Sequence, residues 1–144
     1  MSGPVFVDTN VLVYLRDPSD PAKQRRAAEW SARLWEEGSG RISWQVLQEF
    51  YVVMTRKLDP PADPARVRQD IDALATWDPV ATGQEVVASA WRIEDRFGFS
   101  WWDSLVVAQA LASGATTLLT EDLQDGQEID GLRIVNPFRA ALDT

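Results

Sequence analysis

Carboxylates at four separated positions are the side chains of this sequence best suited to catalysis. They are Asp8, Glu49, Asp103 and Asp122. Oxygen ligands of this kind suit Mg²⁺ or Mn²⁺, which usually take a few carboxylates together with water and substrate phosphate. Such ions can activate water, polarise a phosphoryl oxygen and stabilise the leaving oxygen of a phosphate ester. The four acids therefore predict metal-assisted hydrolysis, provided that the fold brings them together.

The residue types that are absent narrow the chemistry further. The sequence contains no cysteine and no histidine. This excludes thiol nucleophiles, disulfides and thiolate zinc sites, and equally histidine bases and histidine-rich zinc hydrolases. Carboxylate, lysine, tyrosine, or a metal held by oxygen ligands remain for hydrolytic chemistry.

Length and composition predict one globular domain that spans residues 1–144. The chain has 144 residues, of which 45% are hydrophobic, and this is enough to form a substantial core. No apolar run approaches the roughly 18 residues of a membrane-spanning helix. The N-terminus also lacks the basic stretch and apolar segment of a secretory signal. We therefore expect a cytoplasmic protein with no membrane partner.

Strands alternate with helices along the chain, which predicts an α/β domain with a mainly parallel sheet. β-Prone apolar runs predict strands at residues 5–7, 41–43, 79–81, 116–120 and 132–135. Apolar periodicity, with proline and glycine as boundary signals, predicts helices at residues 11–15, 21–37, 44–58, 64–77, 84–97 and 101–112. Residues 122–131 are expected to form a loop.

These elements place all four acids at one edge of the sheet. Asp8 directly follows the first strand, and Asp122 closely follows the strand at residues 116–120. Asp103 lies in the first turn of its helix and Glu49 in the second turn of its own. In a parallel α/β sheet, the strands end where the following helices begin, and ligands bind at that edge. Carboxylates brought together there would repel one another and favour a bound cation.

Each acid also has a purely structural interpretation. Asp8 can cap the helix that follows it, and Asp103 can complete a capping box with Ser100. Glu49 can be a solvated helix-face residue, and Asp122 lies in a polar loop where aspartate favours turns. These alternatives stay open for each residue alone. The functional interpretation depends on the convergence of all four.

The net charge of −8 argues against a nucleic-acid partner, because phosphate backbones favour basic surfaces. Three explanations remain. The substrate is not a nucleic acid, the acidity is concentrated where metal ions neutralise it, or a basic protein is the partner.

Four segments in a fixed order resemble a known protein family. They are VFVDTNVLVY at residues 5–14, SWQVLQEFYVV at 43–53, FSWWDSLVVAQA at 99–110 and LLTEDLQDG at 118–126. Together they resemble PIN-domain proteins, specifically the VapC-type toxins of bacterial toxin–antitoxin pairs. The resemblance covers essentially the whole chain.

The resemblance implies a fold, an activity and a set of site residues. The fold would be a three-layer α/β/α domain with a mainly parallel sheet, often forming a homodimer. The activity would be Mg²⁺-dependent cleavage of RNA, inhibited by a cognate antitoxin protein. The acidic metal site would consist of Asp8, Glu49, Asp103 and Asp122, with Asp8 and Asp103 as the most direct ligands. Polar support would come from Thr9, Asn10 and Thr120, and Asp125 would be an additional or substitute acid.

Basic and aromatic residues near this edge have competing interpretations. Lys23, Arg25, Arg26 and Arg33 on one predicted helix can contact RNA phosphates, but solvated helix faces are the favoured reading. Trp44, Trp101 and Trp102 flank the predicted edge, where burial in the core or in a dimer contact is favoured over stacking on bases. The helices on either side of Pro60-Pro61 are expected to form an apolar groove for an amphipathic segment of the antitoxin.

Two other functions stay open at this point. One is a metal-dependent nuclease or phosphatase that uses the same acids on DNA or nucleotides. The other is a non-catalytic binding module that retains the acidic cluster.

Overall fold

A central sheet forms the middle of the protein in a computed structural model, which describes residues 3–139. It has five strands in the order β2-β1-β3-β5-β4. Neighbouring strands are parallel except for β4, which pairs antiparallel with β5 at one edge. The strands are β1 (Val5–Val7), β2 (Gly40–Arg41), β3 (Thr117–Leu119), β4 (Glu128–Ile129) and β5 (Leu132–Val135).

Six α-helices accompany the sheet in the described residues: α1 (Thr9–Arg16), α2 (Pro21–Glu37), α3 (Trp44–Val52), α4 (Pro64–Leu74), α5 (Gln84–Phe97) and α6 (Trp101–Ala112). α3 continues as a π-helical segment at Val53–Lys57, and α4 as a 3₁₀ turn at Ala75–Trp77. Among these helices, none combines the length and apolar character that a membrane crossing needs.

The helices and the sheet form three layers, α/β/α. α1 packs with α2 and α3, α3 packs with α4, and α5 packs with α6, which also contacts β3. The middle residues of the three central strands, Phe6, Leu118 and Ile134, stand side by side in register and are each 0% exposed. Burial on both faces is expected of a parallel sheet between helical layers. The predicted fold class is thus confirmed.

Local residue choices explain where the helices begin and end. Ser43 and Ser100 cap α3 and α6 by accepting hydrogen bonds from backbone N–H groups in the first turn. Gly38 and Gly98 end α2 and α5 in the left-handed conformation, with φ of 64° and 68°, which glycine adopts without steric cost. The predicted bounds of α2, α5 and α6 are confirmed.

Several predicted bounds are wrong. α1 begins at Thr9, two residues before the predicted start, because Asp8 caps it. The strand expected at residues 79–81 is reduced to one bridge between Val80 and Ser43. The predicted loop at residues 122–131 contains β4, whose partner is the next strand in the chain.

Candidate active site

Asp8 lies where β1 passes into α1, and two strands hold it there. Its backbone N–H donates to the carbonyl of Leu119 at the end of β3. Its side chain is the N-cap of α1 and accepts a hydrogen bond from the backbone N–H of Thr9 at 2.7 Å. A capping carboxylate at a helix N-terminus is also stabilised by the helix dipole. The structural role predicted for Asp8 therefore coexists with its position in the site.

The second carboxylate oxygen of Asp8 is held from β3. Thr120, which is fully buried, donates its hydroxyl to Asp8 Oδ2 at 2.8 Å. The amide of Asn10 approaches the same oxygen at 3.4 Å. Donors from α1 and from the end of β3 thus fix the orientation of this carboxylate.

Burial makes Asp8 hard to ionise. The residue is only 7% exposed, and loss of solvent raises the pKa of Asp8 from 3.8 to about 6. The hydrogen bonds from Thr120 and Thr9 oppose that rise, whereas the negative charges of Asp122 and Glu49 add to it. A buried carboxylate with acidic neighbours is an arrangement that a bound cation stabilises.

Asn10 connects Asp8 to Asp122 on the loop after β3. Its Nδ2 lies 3.1 Å from Asp122 Oδ2 and 3.1 Å from Thr120 Oγ1. The hydroxyl oxygen of Thr120 also accepts the backbone N–H of Asp122 at 3.1 Å. The carboxylate of Asp122 itself is on an exposed residue. The supporting positions predicted for Asn10 and Thr120 are thus in contact with both acids.

Glu49 reaches the site from α3 and accepts a hydrogen bond at each of its carboxylate oxygens. Thr9 donates its hydroxyl to Glu49 Oε2 at 3.0 Å, and Gln45 donates its amide to Glu49 Oε1 at 3.0 Å. Glu49 is half-buried, and its charge is close enough to raise the pKa of Asp8. A freely solvated helix-face residue would not be held in this way.

Asp103 enters from the first turn of α6. Its backbone N–H donates to the hydroxyl of Ser100 at 3.1 Å, as expected for a capping box. Partial burial raises the pKa of Asp103, the interaction with Ser100 lowers it, and the charge of Asp122 raises it again. The charge of Asp122 therefore acts on Asp103, although the two residues lie on different elements.

Residues 5–128 match the family model of the PIN domain. The chain belongs to the PIN-domain family. A search of the curated proteins finds no match.

Two solved structures share this fold at low sequence identity. A chain of a toxin–antitoxin complex from Klebsiella pneumoniae matches with a TM-score of 0.65 at 19% sequence identity. The match covers 92% of this PIN-domain chain and 97% of the Klebsiella chain. A VapC toxin of Mycobacterium tuberculosis that cleaves the sarcin–ricin loop has a TM-score of 0.57 and 20% identity, covering 79% and 86%. At these identities the likeness concerns the fold.

The acidic edge of this PIN domain has a donor set that fits a hard divalent cation. All four acids and their supporting hydroxyl and amide groups offer oxygen, which Mg²⁺ and Mn²⁺ prefer. Burial is the main cause of the raised pKa of Asp8 and of Asp103, and neighbouring negative charges add to it; a bound cation would offset both effects. Between residues 3 and 139, however, no three carboxylates are already grouped closely enough to hold one ion.

Asp125 and Lys23 have roles that the sequence did not indicate. Asp125 accepts the backbone N–H of Asn136 at 2.8 Å, which ties its loop to the end of β5. Lys23 on α2 pairs with Glu121 at 2.8 Å and also donates to the hydroxyl of Tyr14. These partners raise the pKa of Lys23. Lys23 is therefore a cation paired with Glu121, the residue that precedes Asp122 in the chain.

Two of the three tryptophans at this edge of the PIN domain are exposed. Trp44 is 43% and Trp102 is 61% exposed, so core burial is wrong for both. They line a groove of about 880 Å³ together with Glu49 and Lys57. Trp101 instead packs against the small apolar cluster between α5 and α6, as expected. The groove adjoins the acidic site because Glu49 belongs to both.

Proposed function

We propose that this PIN domain is a divalent-metal-dependent endoribonuclease that acts as the toxin of a toxin–antitoxin pair. The principal support is the buried carboxylate of Asp8, whose pKa is raised to about 6 beside the charges of Asp122 and Glu49. Carboxylates whose pKa is perturbed by burial and by charged neighbours concentrate at reactive sites. The family then favours phosphodiester hydrolysis over other chemistry.

Asp8, Glu49, Asp103 and Asp122 would together hold Mg²⁺ or Mn²⁺. Such an ion, when bound, neutralises phosphate charge and lowers the pKa of a water molecule that can attack phosphorus. Asp8 supplies a fixed, shielded oxygen, because Thr9 and Thr120 hold it in one orientation.

The other parts of the site have complementary tasks in this proposal. Glu49, held at both oxygens, supplies a second oriented carboxylate. Asp122 stands on an exposed loop, where an RNA strand can approach. The N-termini of α1 and α6, next to Asp8 and Asp103, favour nearby negative charge, including that of a phosphodiester. The net charge of −8 is then partly offset by the bound cation.

The fold neighbours support RNA as the substrate and a protein as the partner. One neighbour is a toxin–antitoxin complex, and the other is a toxin that cleaves an RNA loop. An apolar concavity of about 270 Å³ between α3 and α4, lined by Leu47, Tyr51 and Ile71 among others, suits an amphipathic antitoxin segment. We further propose that residues 1–144 act as one domain, in the cytoplasm and as a homodimer.

A side-by-side assay of RNA, single-stranded DNA and nucleotides with Mg²⁺ tests the proposed substrate. We expect wild type to cleave RNA, and Asp8→Asn and Asp103→Asn to lose both cleavage and cellular toxicity. Asp95→Asn is the matched control, since Asp95 is an exposed acid on α5, and it should behave as wild type.

Other outcomes would replace the proposal. Preferred cleavage of DNA or of nucleotides would indicate a different phosphohydrolase that uses the same acids. RNA cleavage and toxicity that are unaffected by Asp8→Asn and Asp103→Asn would contradict catalysis at this edge.

A further inference from the structure

A fully buried glutamine on α6 is connected to the acidic site through a chain of hydrogen bonds. Gln109 is 0% exposed, and its neighbours on α6 are mostly apolar and buried. Its Oε1 accepts the hydroxyl of Ser43 at 2.7 Å. Its Nε2 donates to Gln45 Oε1 at 2.8 Å and to Thr82 Oγ1 at 3.0 Å. Every N–H group of this buried amide therefore has a partner.

Gln45 extends the chain to Glu49. Its oxygen accepts from Gln109, and its nitrogen donates to Glu49 Oε1 at 3.0 Å. We call Ser43, Gln109 and Gln45 the amide chain. It runs from the sealed interior, where Ser43 is also 0% exposed, to a carboxylate of the site.

The carboxylate fixes the direction of every bond in the amide chain. An ionised carboxylate can only accept, so the nitrogen of Gln45 must face Glu49 and its oxygen must face Gln109. Gln109 must then donate to Gln45 and accept from Ser43. The other end agrees with this direction, because the oxygen of Ser43 accepts the backbone N–H of Val46 at 3.1 Å. No amide in the chain can rotate by half a turn without losing hydrogen bonds.

A buried amide is expensive for a fold unless it is fully bonded. At residue 109 an apolar side chain would fill the interior without that cost. Gln109 on α6 instead binds Gln45 on α3, and Gln45 binds one carboxylate oxygen of Glu49. Thr9 on α1 binds the other oxygen. Without the amide chain, the half-buried side chain of Glu49 would keep the hydrogen bond from Thr9 as its support.

We propose that Gln45 and Gln109 are positioning residues that hold Glu49 in the orientation needed to bind the divalent cation. This inference rests on the proposed function of the acidic site. Gln45 acts directly on Glu49, and Gln109 acts through Gln45. Hydrogen-bond partners that orient metal ligands typically change metal affinity or activity by about 10–100-fold.

The binding constant for Mn²⁺, measured by calorimetry on the purified chain, tests this role separately from catalysis. We expect Gln45→Leu and Gln109→Glu to weaken Mn²⁺ binding by roughly 10–100-fold. Gln109→Glu nearly preserves shape and still accepts from Ser43, but it removes the donor to Gln45. We expect both variants to lower kcat for RNA with little change in KM.

Gln48→Leu is the matched control for Mn²⁺ affinity. Gln48 lies on α3 one residue before Glu49, is exposed, and donates to the carbonyl of Trp44 instead of to a carboxylate. Its replacement should leave Mn²⁺ affinity unchanged. Because Gln109 acts through Gln45, the double variant Gln45→Leu/Gln109→Leu should bind Mn²⁺ no more weakly than Gln45→Leu alone.

Two results would overturn the inference, and they are distinguishable. If Gln45→Leu and Gln109→Glu bind Mn²⁺ like wild type while Asp8→Asn does not bind it, the positioning role is wrong and the proposed function stands. If wild type neither binds Mn²⁺ nor cleaves RNA, both are wrong. Gln45 is only half-buried, so Gln45→Leu keeps the test decisive should a change at buried Gln109 prevent folding.

Discussion

The inner and outer halves of the acidic site hold their carboxylates in opposite ways. In the inner half, Asp8 is 7% exposed and is held by groups from α1 and from the end of β3. In the outer half, Asp122 stands exposed on a loop, and Asp103 is half-buried at the first turn of α6. The difference follows from the supporting elements, because Asp8 ends a central strand whereas the outer acids begin a helix or occupy a loop.

The two halves therefore differ in how firmly they hold their carboxylates. Burial fixes the carboxylate of Asp8 but raises its pKa to about 6. Asp122 keeps its solvent, and its position depends on Asn10 and on a backbone hydrogen bond to Thr120. A cation that binds between the halves would gain a rigid ligand on one side and adaptable ligands on the other.

The largest expected effect is a difference between Asp8→Asn and Asp122→Asn in their response to Mg²⁺. Asp8→Asn should lower RNA cleavage by roughly 10³-fold or more. Loss of a single hydrogen-bond donor that stabilises charge in a reaction already costs about 10²–10³-fold, and Asp8 is proposed to bind the cation directly. Excess Mg²⁺ should not restore it, because Asp8 is the buried carboxylate of the site and is held in one orientation. Cleavage by Asp122→Asn should recover in part as Mg²⁺ is raised, and equal recovery in both variants would show that the halves do not differ.

The next effect concerns the stability of the metal-free protein against pH. Since the pKa of Asp8 is raised from 3.8 to about 6 on folding, the folded state binds the proton more tightly between those values. The contribution of Asp8 to the free energy of unfolding is therefore highest below pH 4, decreases as pH rises towards 6, and is constant above it. The total decrease is roughly 3 kcal/mol.

Urea unfolding in EDTA at pH 4, 5 and 7.5 measures this decrease. Asp8→Asn should flatten it, because the variant has no titrating group at this position. Asp103, whose pKa is also raised, contributes in the same direction, so Asp103→Asn should flatten the profile less. An identical pH profile in wild type and Asp8→Asn would mean that Asp8 ionises without penalty.

A smaller effect is expected from Thr120→Val, which removes the hydroxyl that links the two halves. Thr120 donates to Asp8 and accepts from Asn10 and from the backbone of Asp122. We expect cleavage to fall by about 10–100-fold, as for other groups that orient metal ligands. Thr55→Val, which removes a hydroxyl bonded to a helix carbonyl, serves as the control and should retain full cleavage. Full RNA cleavage by Thr120→Val would show that catalysis does not need the hydroxyl that links the two halves.

The smallest effect is expected at Asp125. Asn at this position keeps the oxygen that accepts the backbone N–H of Asn136, so loop structure should be preserved. RNA cleavage by Asp125→Asn should remain within about twofold of wild type, because the acids that contact the Asn10–Thr120 linkage are Asp8 and Asp122. A loss as large as that of Asp122→Asn would make Asp125 a member of the site.

Local signals predicted the elements that carry Asp8 and Asp103. Asp8 follows an apolar strand and caps a helix, and Ser100 caps the helix that carries Asp103. Both signals lie within a few residues of the acid. The direction of parallel strands then predicts that the acids lie at one edge of the sheet.

The amide chain could not be predicted from such signals. Ser43 and Gln109 are 66 residues apart, and Gln45 and Gln109 are 64 apart, so no spacing in the sequence relates them. Gln109 looks like one polar residue in an apolar helix. β4 was missed for a related reason, since it is a two-residue strand whose pairing, not its composition, defines it. The exposure of Trp102 likewise depends on packing between helices that periodicity does not fix.

RNA cleavage by wild type during removal and return of a divalent cation tests the cation dependence of the acidic site most directly. Cleavage should cease in excess EDTA and return when Mg²⁺ or Mn²⁺ is added beyond the chelator, while Asp8→Asn should remain inactive throughout. Cleavage that continues undiminished in excess EDTA would contradict a metal-dependent mechanism at Asp8, Glu49, Asp103 and Asp122.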